Sequence, residues 1–79
     1  MEEAQIYERL SGIFTDVFGD DTLKLTPQLT ADDVDEWDSL THIRLVISVE
    51  KAFGVKFSAS EIGALKNVGE FVQLINSKL

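Results

Sequence analysis

DSLTHIRLVISVEKAFG, residues 38–54, reads as a single helix with both of its ends marked. Leu40, Ile43, Val46, Ile47 and Phe53 recur at helical spacing and predict one apolar stripe. Asp38 stands where an N-cap acceptor belongs, which makes Ser39 the first helical residue. Gly54 follows the last apolar position and suits a left-handed helix end. A serine at this place is either an ordinary helix-start residue or a point of attachment.

On the N-terminal side, Ile6, Leu10, Ile13, Phe14, Val17 and Phe18 predict a first helix that ends before Gly19. Glu2 and Glu3 suit the positive end of that helix. On the C-terminal side, Ser58 with Glu61 has capping-box spacing and opens a short helix through Ile62 and Leu65. Asn67 with Glu70 repeats the signal, and Val68, Phe71, Val72, Ile75 and Leu79 form the last stripe. VKF at 55–57 is too short to count as a strand. The expected fold is all-α: a small four-helix bundle, three helices longer and the third short, in one domain over 1–79. Between the first two helices runs GDDTLKLTPQLTADDVDEW, a connection as long as a compact domain tolerates. Leu23, Leu25, Leu29, Val34 and Trp37 recur through it and predict an ordered loop pinned across the bundle. Thr30 and Asp33 are placed to cap one extra turn within it.

Composition narrows the function. The 79 residues include no cysteine, so neither a disulfide nor a thiol nucleophile is available. Charge is unevenly spread over the chain. Residues 1–38 hold eleven acids against Arg9 and Lys24, a net −9, while residues 39–79 hold three acids against five bases, a net +2. Such a balance argues against nucleic acid, whose phosphates need a basic footprint, and fits a basic protein surface or mere solubility. No apolar run reaches the length of a membrane span. MEEAQIYERL has no basic region or apolar core of a signal peptide, so the expected compartment is the cytoplasm.

Catalytic and metal readings fare poorly. His42 lies one turn after Ser39, but no orienting group or oxyanion site accompanies the pair, so His42 is expected to face solvent or a partner. The acids Asp32, Asp33, Asp35, Glu36 and Asp38 lack the glycine and terminal glutamate of a calcium loop. No dedicated metal site is expected. Ser39 is different, because the amides and dipole of a helix start favour an anion such as a phosphodiester on the serine oxygen.

At these residues the chain resembles the acyl carrier protein family. DSL at 38–40, the helix after it and the order of the other elements carry the likeness over nearly the whole chain. Peptidyl carriers usually place a glycine pair before their serine, which EWDSL lacks. The resemblance implies that Ser39 receives 4′-phosphopantetheine from coenzyme A through a Mg²⁺-dependent phosphopantetheinyl transferase, with Asp38 and Leu40 as recognition flanks. The implied carrier, itself no enzyme, holds acyl groups as thioesters for acyl-loading, acyl-transfer or condensing enzymes, acts as a monomer, and shelters its cargo against Leu45, Val46, Ile62 and Ile75. The alternative is an acidic helical interaction module that is never modified.

Two departures stand out. Family members in general fatty-acid synthesis usually present acids on the helix after the serine, whereas here Arg44 and Lys51 share one stripe with His42 nearby. Those residues, with Asp35 and Glu36 ahead of the helix, are the expected docking set, in which Arg44 and Lys51 either choose the partner or form a solvated face. They point to a specialised fatty-acid, polyketide or lipid pathway. Trp37 either anchors the loop or meets the cargo.

Overall fold

A computed structural model describes residues 2–20 and 23–79; Asp21 and Thr22, counted above in the acidic loop, lie outside it. Helix α1 (Glu3–Phe18) buries Ile6, Leu10, Phe14 and Phe18, one residue per turn, and half-buries Ile13 and Val17 beside them. Gly19 ends the helix at φ 68°, its N–H donating to the Thr15 carbonyl at 2.8 Å. Helix α2 (Ser39–Phe53) runs between Asp38 and Gly54, the latter again at φ 68°. Short α3 (Ala59–Gly63) and then α4 (Val68–Lys78) complete an all-helical fold, with no strand among the described residues. The core lies where α1 packs on α2 and α4.

Local chemistry sets each helix start. The Ser58 Oγ accepts from the Glu61 N–H at 3.2 Å while Glu61 Oε1 accepts from the Ser58 N–H at 2.8 Å, the expected reciprocal box. At α4 the box is incomplete. Asn67 Oδ1 accepts from the Glu70 N–H at 2.8 Å, but the Glu70 carboxylate turns to the Lys66 N–H instead. Two amides of the first turn of α4 that lack a partner within the helix are taken by the loop: Val68 N–H donates to the Leu29 carbonyl at 2.9 Å and Gly69 N–H to the Pro27 carbonyl at 3.0 Å. The loop is thus stitched to the bundle by backbone bonds as well as by buried Val34 and half-buried Leu23, Leu25, Leu29 and Trp37. A single 3₁₀ turn, Ala31–Asp33, follows Thr30, whose N–H and hydroxyl both donate to Asp33 Oδ2.

The stripe expected on α2 is corrected by the structure. The face turned to the core is Leu45, Val46, Val49 and Phe53, while Leu40, Ile43 and Ile47 are 69%, 56% and 45% exposed. Apolar side chains ring more than half of this helix, and the bundle can cover only one side. Trp37 and His42 settle which side that is, because their contact holds the first turn against α1. Leu79, assigned to the last stripe, is 49% exposed because it lies beyond the end of α4.

Candidate functional site

Ser39 is exposed at the first position of α2. Its neighbour Asp38 is held in place by Thr41. Asp38 Oδ1 accepts from the Thr41 N–H at 2.9 Å, and the Thr41 hydroxyl in turn accepts from the Asp38 N–H at 2.8 Å. Thr41 Oγ1 donates to the Glu36 carbonyl at 2.7 Å, so one hydroxyl ties the loop end to the helix. The Thr41 backbone N–H first, and then the Thr41 hydroxyl 3.1 Å from Asp38 Oδ1, hold the Asp38 carboxyl below its ordinary value of 3.8, because they favour the ionised acceptor. Asp38 is therefore a cap first, whatever else recognises it.

Behind the serine, Trp37 fills the angle between the loop and α1. Its ring meets Phe14 edge-on at 5.3 Å and Phe18 at 5.8 Å, and stacks on His42 at 6.0 Å. Its Nε1–H donates to His42 Nδ1 at 3.0 Å, which places the imidazole proton on Nε2. His42, expected from the sequence to face solvent or a partner, is consequently half-buried in this contact. Its Nδ1 serves Trp37 and leaves no base for a serine–histidine pair on that nitrogen.

An open cavity of about 400 Å³ lies beside Ser39, walled by Trp37, His42, Ile62, Leu65 and Phe71. The loop, the first turn of α2, the α3 segment and the start of α4 each contribute a wall. Ile62, named from the sequence as cargo lining, borders it. Leu45, Val46 and Ile75 do not; they are fully packed in the core beyond it. Trp37, expected either to anchor the loop or to meet the cargo, borders the cavity and also packs on α1; Leu65 and Phe71 were missed as walls, since a lining assembled from a loop and three helices leaves no periodic trace in sequence. Arg44 and Lys51 are exposed on α2 on the same side as Leu40, and His42 faces away from them. Asp35 and Glu36 are exposed in the turn before α2. Among the described residues no group of three or more His, Asp or Glu is placed to hold a metal ion.

The arrangement suits a phosphate-linked arm. An exposed hydroxyl sits at a helix start, where an anion is favoured, and an apolar-walled cavity opens next to it. Comparison with known proteins bears on the same group. Residues 8–75 match the family described as PP-binding, phosphopantetheine attachment site. The acyl carrier protein of Thermosynechococcus vestitus is 31% identical over 80 residues, covering 100% of this chain and 98% of that protein. That of Lactobacillus johnsonii is 29% identical, covering 98% and 96%. The solution structure of the holo acyl carrier protein from Geobacter metallireducens superposes with a TM-score of 0.87 at 42% identity, over 91% of this chain and 83% of that one. The chain belongs to the acyl carrier protein family, carriers rather than catalysts, and its phosphopantetheine attachment domain takes 4′-phosphopantetheine as prosthetic group.

Proposed function

We propose that Ser39 is the attachment residue and that the protein presents acyl thioesters to partner enzymes in a specialised fatty-acid, polyketide or lipid pathway. The observation that carries this reading is the exposed Ser39 hydroxyl at the first turn of α2, beside the cavity. In loading, Ser39 Oγ attacks the phosphorus of coenzyme A next to the pantetheine, losing its proton as adenosine 3′,5′-bisphosphate leaves, within a Mg²⁺-dependent phosphopantetheinyl transferase. The bound arm supplies the thiol that this cysteine-free chain lacks. The chain's own part is to hold and position. Asp38 and Thr41 fix the helix start on which Ser39 sits, and Trp37 and His42 fix its rotation. Asp38 and Leu40 flank the serine for the transferase, and Ile62 with its neighbours gives an acyl chain a dry wall. Leu45, Val46 and Ile75 stand behind that wall and become lining only if the helices part.

Presenting cargo from a rigid helix end gives each docked enzyme a high effective concentration of thioester. Docking is weak and steered by charge so that cargo passes on, with Arg44, Lys51, Asp35 and Glu36 at the contact. The carrier acts as a monomer in the cytoplasm; no helix among the described residues is long and apolar enough to cross a membrane. The exposed cations Arg44 and Lys51 on the helix after the serine support a dedicated pathway over the general fatty-acid one. Incubation with coenzyme A, Mg²⁺ and a broad-specificity transferase, followed by intact mass, tests the reading. The wild type should gain one phosphopantetheine and Ser39→Ala none. An unmodified wild type, where another carrier is loaded, would leave an acidic interaction module instead.

A further inference from the structure

The surface of α2 opposite the core is not the polar face expected of a helix on the outside of a bundle. Leu40, Ile43 and Ile47 lie three and four residues apart on that side, each about half exposed or more. Arg44 follows Leu40 by one turn and Lys51 follows Ile47 by one turn, so two cations flank the apolar row. Neither cation makes an ion pair or hydrogen bond with a described residue. Glu50, the one acid of the helix, is turned away: its Oε2 accepts from the Phe57 N–H at 2.8 Å. Exposing three aliphatic side chains in one row is costly for a small soluble protein unless something covers them.

Resting on the carrier reading above, we infer that this face docks a folded partner protein whose apolar groove carries carboxylates on its rim opposite Arg44 and Lys51. An apolar centre ringed by charge is the anatomy of a protein interface, with the aliphatic row giving affinity and the two cations giving orientation and encounter rate. Charge complementarity selects the occupant. An anionic lipid surface suits the two cations but not exposed Asp35, Glu36 and Asp38 just ahead of the same helix, nor the net charge of −7. A second copy would set the same cations and the same net charge against themselves. A carboxylate-rimmed groove satisfies the cations and leaves the acids at the Ser39 end free for positive residues around the partner's entrance.

Reciprocal charge exchange tests this. The probe is a purified fatty-acid elongation enzyme with a basic docking rim, alongside the same enzyme with those rim residues changed to glutamate. Wild type, R44E/K51E and Ile47→Ser are first loaded, checked by intact mass, and given the same acyl group. The wild type should work about tenfold better with the glutamate rim, R44E/K51E should show the opposite preference, and about 0.5 M salt should level both. Ile47→Ser should lower kcat/KM with both rims while keeping the wild-type preference. Circular dichroism should be unchanged, since all three residues are exposed. Failure of the wild type to load overturns the Ser39 reading and this inference with it. Normal loading with equal rates on both rims overturns the inference alone. So does sedimentation as a dimer, or binding to phosphatidylglycerol vesicles, that R44E/K51E abolishes.

Discussion

At the scale of single residues, the helix start that carries Ser39 is held by two contacts of different kinds. Asp38 holds it electrostatically, and its folded-state pKa lies below the ordinary 3.8 because Thr41 donates to the ionised form. A depressed folded value means that the stabilisation is fully present above the unfolded value and is lost as pH falls through the folded one. Asp38→Asn should therefore lower the melting temperature at pH 7 and flatten its decline below about pH 4, read by thermal melts across pH. An equally steep acid decline in both proteins would mean that other carboxylates, such as Glu61 with its own lowered value, carry the effect. Trp37 holds the same turn through packing and one hydrogen bond. His42→Ala leaves the half-buried Trp37 Nε1–H without its acceptor, and should cost about 1 kcal/mol in urea unfolding with a shifted indole emission. Unchanged emission would place Trp37 outside that contact in solution.

At the scale of elements, the decisive variable is how much of each one is specified locally. Helix α1, with one buried residue per turn and a glycine end, was legible because its periodicity admits a single core face. The Ser58–Glu61 start of α3 was legible for the same reason: both partners lie within four residues. The rotation of α2 was not, since Leu40, Ile43 and Ile47 are as apolar as the residues that won the core. What turned the helix is a contact between Trp37 and His42, and its first member sits in a loop whose path no short-range pattern encodes. The cavity was equally hidden, apart from Ile62 and one of the two roles weighed for Trp37, because its walls meet only in three dimensions. Seating of the loop on α4 yields a sharp contrast between two helical glycines. A Cβ at Gly69 would meet the Cβ and carbonyl oxygen of Pro27 at 3.1 Å, whereas a Cβ at Gly12 meets nothing within 4 Å. Gly69→Ala should destabilise by about 1–3 kcal/mol, and Gly12→Ala should stabilise by up to about 1 kcal/mol, in urea titrations. Equal effects would mean that the loop does not rest on α4.

At the scale of the whole molecule, the net charge of −7 is unevenly held: the half of the chain that precedes Ser39 carries −9 and the rest +2. Asp32, Asp35 and Glu36 are exposed close together in sequence, and their mutual repulsion opposes the fold. Raising salt from about 0.05 to about 0.5 M should screen them and lift the melting temperature by a few degrees. A flat response would show that the charges are too dispersed to matter. The same asymmetry leaves the acids just ahead of α2 and the cations along it, next to the serine on which the carrier reading depends.

That serine is one of six in the chain, so the direct measurement is where the added mass resides. The others differ in their surroundings: Ser11 and Ser48 are half-buried, while Ser58, Ser60 and Ser77 are exposed, Ser58 accepting from the Glu61 N–H and Ser77 donating to the Leu74 carbonyl. Fragmentation mass spectrometry of the loaded protein should place a single phosphopantetheine on Ser39 and leave every other serine unmodified. Modification at Ser60, or at any serine but Ser39, would contradict the account.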